Sequence, residues 1–198
     1  MNTNAKLKDF VSIRSGMVVS KTANNDEALL TDAFVRMIVT SDYDEDGNLR
    51  NDLEANVLMK PSIDKNFLKN GEILFNAKGR RFFAALFQEE YQYAIASSSF
   101  LIITVKSDHL EPEFLVWFLG HPETLKIFDS KMSTQVMPTI TKQELAELEI
   151  ILPSKEIQHR IVKVDQLKKK QVKIQKELIE LKENYINAIT YKKLKNEQ

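Results

Sequence analysis

From Ile157 onward, positions seven apart read Ile157, Val164, Gln171, Leu178 and Tyr185, and an interleaved set reads Arg160, Leu167, Ile174, Leu181 and Ala188. Spacing that alternates between three and four residues is the seam of a coiled coil. No Gly or Pro follows Pro153, and Lys, Glu, Gln, Leu and Ile fill the segment, so intrinsic propensity agrees with the pattern. The segment predicts one helix of about 55 to 65 Å at about 1.5 Å per residue, longer than a domain of this size is wide. A second stripe, Val172, Ile179 and Ile186, runs beside the seam. Either the seam pairs with another helix while the flank meets a further partner, or the helix packs on the chain's own globular part. Gln171 interrupts the core positions, as a residue that fixes register or as a tolerated half-exposed polar group.

The pattern before Pro153 is different. Residues 34–39 are apolar on both alternating faces, which suits a buried strand. Asn70-Gly71 marks a turn before a strand over 72–75, and two more strands are expected over 91–97 and 100–106, separated by Ser97-Ser98-Ser99. Pro112 opens a short buried helix that Gly120 stops, and Pro122 opens a second. Thr141 and Glu144 form a capping box for a third, and a last strand over 149–152 precedes the long helix. The predicted fold class is therefore α+β. A mixed, β-rich domain with short helices spans residues 1–152, and a single long coiled-coil helix spans residues 153–198.

Charge separates the same two parts. The chain is neutral overall, yet residues 1–153 hold 16 basic against 22 acidic side chains, and residues 154–198 hold 12 against 6. The helix is thus the basic element, either as a solvated face or as a surface for nucleic acid or an acidic partner. The absence of cysteine rules out disulfides and thiolate zinc sites and suits a reducing cytoplasm. The polar start and the lack of any long apolar run predict neither a signal peptide nor a membrane span.

Little in the chain resembles catalytic machinery. His109, His121 and His159 have no neighbours at metal-ligand spacing, and no phosphate-binding Gly loop or nucleophile elbow is present. Asp42, Asp44 and Asp46 followed by Gly47 imitate the opening of a calcium loop, but Leu53 occupies the position of its closing Glu. An Asp-Gly turn between strands is the expected reading.

The ordered set Gly71–Gly79, Ala96–Ile103, Pro112–Leu119, Val136–Ile140 and Leu148–Pro153, followed by Gln158, Arg160 and Ile161, resembles the specificity subunit of type I restriction-modification systems. Phe34-Val35-Arg36 leading to Asp46-Gly47 adds to the likeness. The resemblance implies a non-catalytic DNA target-recognition domain and a helical spacer. In that family two such domains read the halves of a split double-stranded site, and two antiparallel helices set the gap and dock methyltransferase subunits. Those methyltransferases flip and methylate adenine with S-adenosylmethionine, the specificity subunit needs no cofactor of its own, and a restriction subunit can join. One domain and one helix resemble half of such a subunit, which would need a second copy or another half. A homodimer through Ile157, Val164, Leu167, Gln171, Ile174, Leu178, Leu181 and Tyr185 would then read an inverted repeat.

Loop residues are the physical candidates for touching DNA. Asn76, Lys78, Arg80 and Arg81 follow one strand, and Lys131, Ser133, Thr134 and Gln135 precede Pro138. Arg suits guanine edges or phosphates, Asn and Gln suit adenine, and Lys suits phosphates; ordinary solvated loops have the same composition. The rival function is a coiled-coil adaptor that assembles a complex without reading DNA, which the acidic balance of residues 1–153 favours.

Overall fold

A computed structural model describes residues 4–18, 34–44, 47–50, 54–55, 57–58, 63–88, 93–128 and 136–196. In chain order the strands are β1 (Asn4–Lys6), β2 (Val11–Ser15), β3 (Phe34–Ile38), β4 (Val57–Leu58), β5 (Ile73–Asn76), β6 (Phe83–Leu86), β7 (Ala94–Ala96) and β8 (Phe100–Val105). Helices α1 (Pro112–Gly120), α2 (Pro122–Lys126) and α3 (Lys142–Ala146) follow, then β9 (Glu149–Ile151) and the 42-residue α4 (Lys155–Asn196). The fold is α+β. The chain divides into two compact units, residues 1–158 and 159–198.

An antiparallel sheet ordered β2-β8-β5-β6 forms the centre of the first unit. All four residues of β5 are buried, because adjacent side chains point to opposite faces and both faces are covered. On one face Leu74, Phe83, Phe100 and Ile102 meet Ile38, Tyr43 and Ala96. Phe75 points the other way and packs near Phe82 and Phe128, at ring separations of 6.5 and 6.4 Å. A smaller sheet, β4-β3-β7, pairs β3 with β7 in parallel. Its other face forms a second cluster around Val35, Met37, Ile63 and Ile95, so β3 is apolar on both sides for the same reason as β5.

Local chemistry explains the turns. Gly71 takes φ +82°, open to glycine and strained for other residues, and closes the turn into β5. Glu72 beside it is 4% exposed, yet its carboxylate accepts hydrogen bonds from Arg14 at 2.8 Å, Lys69 N at 2.9 Å and Thr104 at 3.0 Å. A charge so paired and hydrogen-bonded is tolerated in the interior. Gly16, after β2, lies so close to the chain that a Cβ there would stand 2.1 Å from the Ser97 carbonyl oxygen. The acidic turn also has a structural role: Asp42 accepts from Val39 N, and Asp44 accepts from the Asn48 backbone and side chain. These two carboxylates thus satisfy backbone donors as turn residues do; Asp46 lies outside the described residues.

β1 pairs with β9, which brings both ends of the first unit together. Lys6 and Lys8 both reach Glu147 beside that sheet. Their hydrogen bonds, Lys6 first, hold the Glu147 carboxyl down to about 2. A carboxyl depressed on folding adds stability above its ordinary value near 4.5, and that stability is lost as pH falls from there toward about 2. The protection factors of the Ala5 and Leu7 amides, taken after correction for the intrinsic pH dependence of exchange, should therefore fall across that window in the parent chain. Glu147→Gln should flatten the dependence; an unchanged profile would mean that these ion pairs are too solvated to matter.

The start of α4 is fixed by one side chain. Gln158 is fully buried; its amide donates to the carbonyls of His109 and Pro153 and accepts from Glu111 N, at 2.8 to 2.9 Å. Lys155 adds an ion pair to Glu111 at 3.1 Å. Beyond Val162 the apolar side chains of α4 are exposed, and among the described residues no helix is long and apolar enough to cross a membrane.

Candidate nucleic-acid interface

Two loop segments far apart in sequence meet beyond the end of β5. Ile140 N donates to Ala77 O at 2.8 Å, Gly79 N donates to Pro138 O at 2.9 Å, and Lys78 and Thr139 form an antiparallel bridge between them. The basic connection between β5 and β6 is therefore zipped to residues 138–140. Gly79 permits this with φ +93°. Pro138 and Ile140 are buried, whereas Val136 and Met137 stand exposed beside the basic turn.

Within this turn the candidate residues have different places. Arg80 is exposed, and Lys78 is half-buried on the bridged strand. Arg81 is exposed at its tip, but its guanidinium donates to the Asp44 carbonyl and lies 4.8 Å from the centre of the Phe83 ring. It thereby links the turn to the loop after β3. Asn76 departs from the reading of it as a loop residue that faces DNA: it ends β5 and is 1% exposed. Its amide donates to the Arg81 carbonyl and its oxygen accepts from Thr40 at 3.3 Å. A buried amide bonded on both sides shapes the turn, and Lys78 and Arg80 are more accessible than it is. Lys131, Ser133, Thr134 and Gln135 lie outside the described residues.

On α4, Ile157, Val164, Leu167, Ile174, Leu178, Leu181 and Tyr185 are between 48% and 68% exposed. Gln171 is exposed in the same row. These side chains form an apolar stripe on one helix, interrupted by Gln171.

A family model described as the type I restriction modification DNA specificity domain matches residues 2–190. The chain belongs to this family. Two solved structures from type I systems share its fold. One, from work on complex assembly and conformational transition of the type I R-M system, aligns at 19% identity and TM-score 0.53 over 85% of this chain. The S subunit of a type I restriction-modification system from M. genitalium aligns at 14% identity and TM-score 0.54 over 90%. The HsdS subunit from Thermoanaerobacter tengcongensis aligns at 20% identity and TM-score 0.48 over 83% of this chain and 36% of its own. This specificity-domain chain spans 38% and 42% of the first two structures. No curated protein sequence matches it.

Reading residue types alone does not single out Gln158 as an anchor, because it stands in an ordinary helical sequence.

Proposed function

We propose that this chain gives sequence specificity to a type I restriction-modification methyltransferase, reading one half of a split double-stranded DNA site without catalysing a reaction itself. Residues 1–152 are the target-recognition domain, and residues 153–198 are the helix that pairs with a second copy and docks adenine methyltransferase subunits. A restriction subunit can join the same assembly. The observation that carries this reading is the family match over residues 2–190, which includes the zipped basic turn and the apolar seam. Lys78 and Arg80 supply phosphate or guanine contacts, and any contribution from residues 131–135 adds to theirs.

Side-chain pairing supports an antiparallel homodimer. In one antiparallel register Leu167 meets Leu178 of the second copy, Val164 meets Leu181, and Gln171 meets Ile174. The same register sets Arg160 against Tyr185, where a cation can lie on a ring, and Lys170 against Glu177 on the flank. A parallel pair would instead oppose Arg160 to Arg160 and Lys163 to Lys168. Two domains related by the resulting two-fold read an inverted repeat.

The test is co-expression with an adenine methyltransferase subunit, followed by mapping of the methylated adenines. Methylation confined to an inverted split site supports specificity. The acid excess of residues 1–153 favours the adaptor as a second reading, and assembly without any sequence preference would establish it. In the purified complex, Lys78→Ala with Arg80→Ala should weaken site binding at fixed salt by about tenfold or more. Unchanged affinity would remove this turn from the interface.

A further inference from the structure

Two apolar side chains adjacent in sequence stand in solvent on a backbone that is held in place. Val136 is 95% exposed and Met137 is 70% exposed. The next residues give them a fixed base, because Pro138 accepts from Gly79 and Ile140 donates to Ala77. Met137 immediately precedes Pro138 and Arg80 immediately follows Gly79, so both flank the hydrogen bond from Gly79 to Pro138.

The surroundings identify the kind of surface this pair meets. Between Glu72 and Glu89 the chain carries Lys78, Arg80 and Arg81 and no acid; between Asp129 and Glu144 it carries Lys131 and Lys142 and no acid. Elsewhere in the first unit acids outnumber bases, so these two stretches of sequence are its basic ones, and they join where residues 138–140 meet residues 77–79. A ligand that suits both features is a polyanion with apolar groups recessed between its charges. Duplex DNA has this form, with phosphates along the groove rim and thymine methyl groups on the floor of the major groove. Val offers no hydrogen bond and Met only a weak one, so the methyl is the base-edge feature they can distinguish.

We infer that Val136 and Met137 contact a thymine methyl group in the major groove while Lys78 and Arg80 hold the adjoining phosphates. This inference rests on the DNA-reading function proposed above. It adds an apolar readout to the polar and basic contacts that loop composition alone suggests.

Uracil isolates the effect, because it differs from thymine only by the missing methyl. The full chain is assembled with its methyltransferase subunits, the site is taken from the methylation map, and each thymine of a half-site is replaced by deoxyuridine in turn. One position should weaken parent binding by roughly fourfold, the worth of one buried methyl group. Val136→Ser with Met137→Ser should bind the thymine and uracil sites equally, with an unchanged salt dependence, since no phosphate contact is lost. Unfolding followed by the single tryptophan, Trp117, should be unchanged for side chains this exposed.

Parent binding that is indifferent to uracil at every position would overturn the inference. So would a serine variant that keeps the discrimination, which would assign the methyl to other residues. A variant that loses its methyltransferase subunits in the absence of DNA would make the pair a protein contact instead. Parent complexes with no sequence preference at all would remove the DNA-reading function, a failure visible before any uracil is introduced.

Discussion

Replacing Gln158 with leucine will destabilise the first unit by about 3 kcal/mol, because three part-buried backbone groups lose their partner at once. The carbonyls of His109 and Pro153 and the N–H of Glu111 all bond to this one amide. Each unsatisfied buried group costs about 1 to 3 kcal/mol, offset in part by relaxation and by the apolar replacement. Gln158 belongs to the first turn of α4, so the same change should loosen the junction before α1. Urea unfolding read by Trp117, which lies in α1, reports both effects. A loss below about 1 kcal/mol would mean that water takes over the three bonds and that Gln158 is not the anchor.

Leu167→Asp combined with Leu178→Asp will turn a dimer of the intact chain into a monomer and abolish methylation at the inverted site. In the antiparallel register these leucines face each other twice across the two-fold axis, so four apolar side chains become charged. At about 1.5 to 3 kcal/mol for each lost burial, the association constant falls by at least about four orders of magnitude. Light scattering over a concentration series reads the mass directly. Because both residues are more than 45% exposed in the single chain, the Trp117 unfolding midpoint should not move. A variant that remains dimeric would place the contact elsewhere. A variant that is monomeric yet still methylates the inverted site would separate site reading from self-pairing.

The contrast between these two positions follows the division between local and distant information in the chain. Leu167 and Leu178 stand out through their interval, which any reader of the sequence can count. Gln158 is three residues inside a helix rich in Gln, Lys and Glu, and nothing about its neighbours distinguishes it from a solvated side chain. Asn76 is similar. Its place after an apolar run suggests a loop, whereas the observed β5 extends by one residue and draws the amide inside, where Thr40 and the Arg81 carbonyl complete it. By pattern alone residues 7–13 fit either a short strand or a helical turn, and the structure has both, a single 3-10 turn over Leu7–Asp9 and, after Phe10, the strand β2.

The sequence by itself determined the elements whose causes lie within about four residues: the Pro112 helix start, the Thr141–Glu144 capping box, the Asn70-Gly71 turn and the heptad of α4. It also determined the charge contrast between the two parts and the α+β class. Tertiary structure alone decided that β3 runs parallel to β7, that Ala77–Gly79 zips to Pro138–Ile140, and that Arg81 turns toward the Asp44 loop. The physical reason is that distant segments are joined by backbone N–H and C=O groups, which nearly every residue carries alike, so side-chain pattern leaves their partners open until the core is packed.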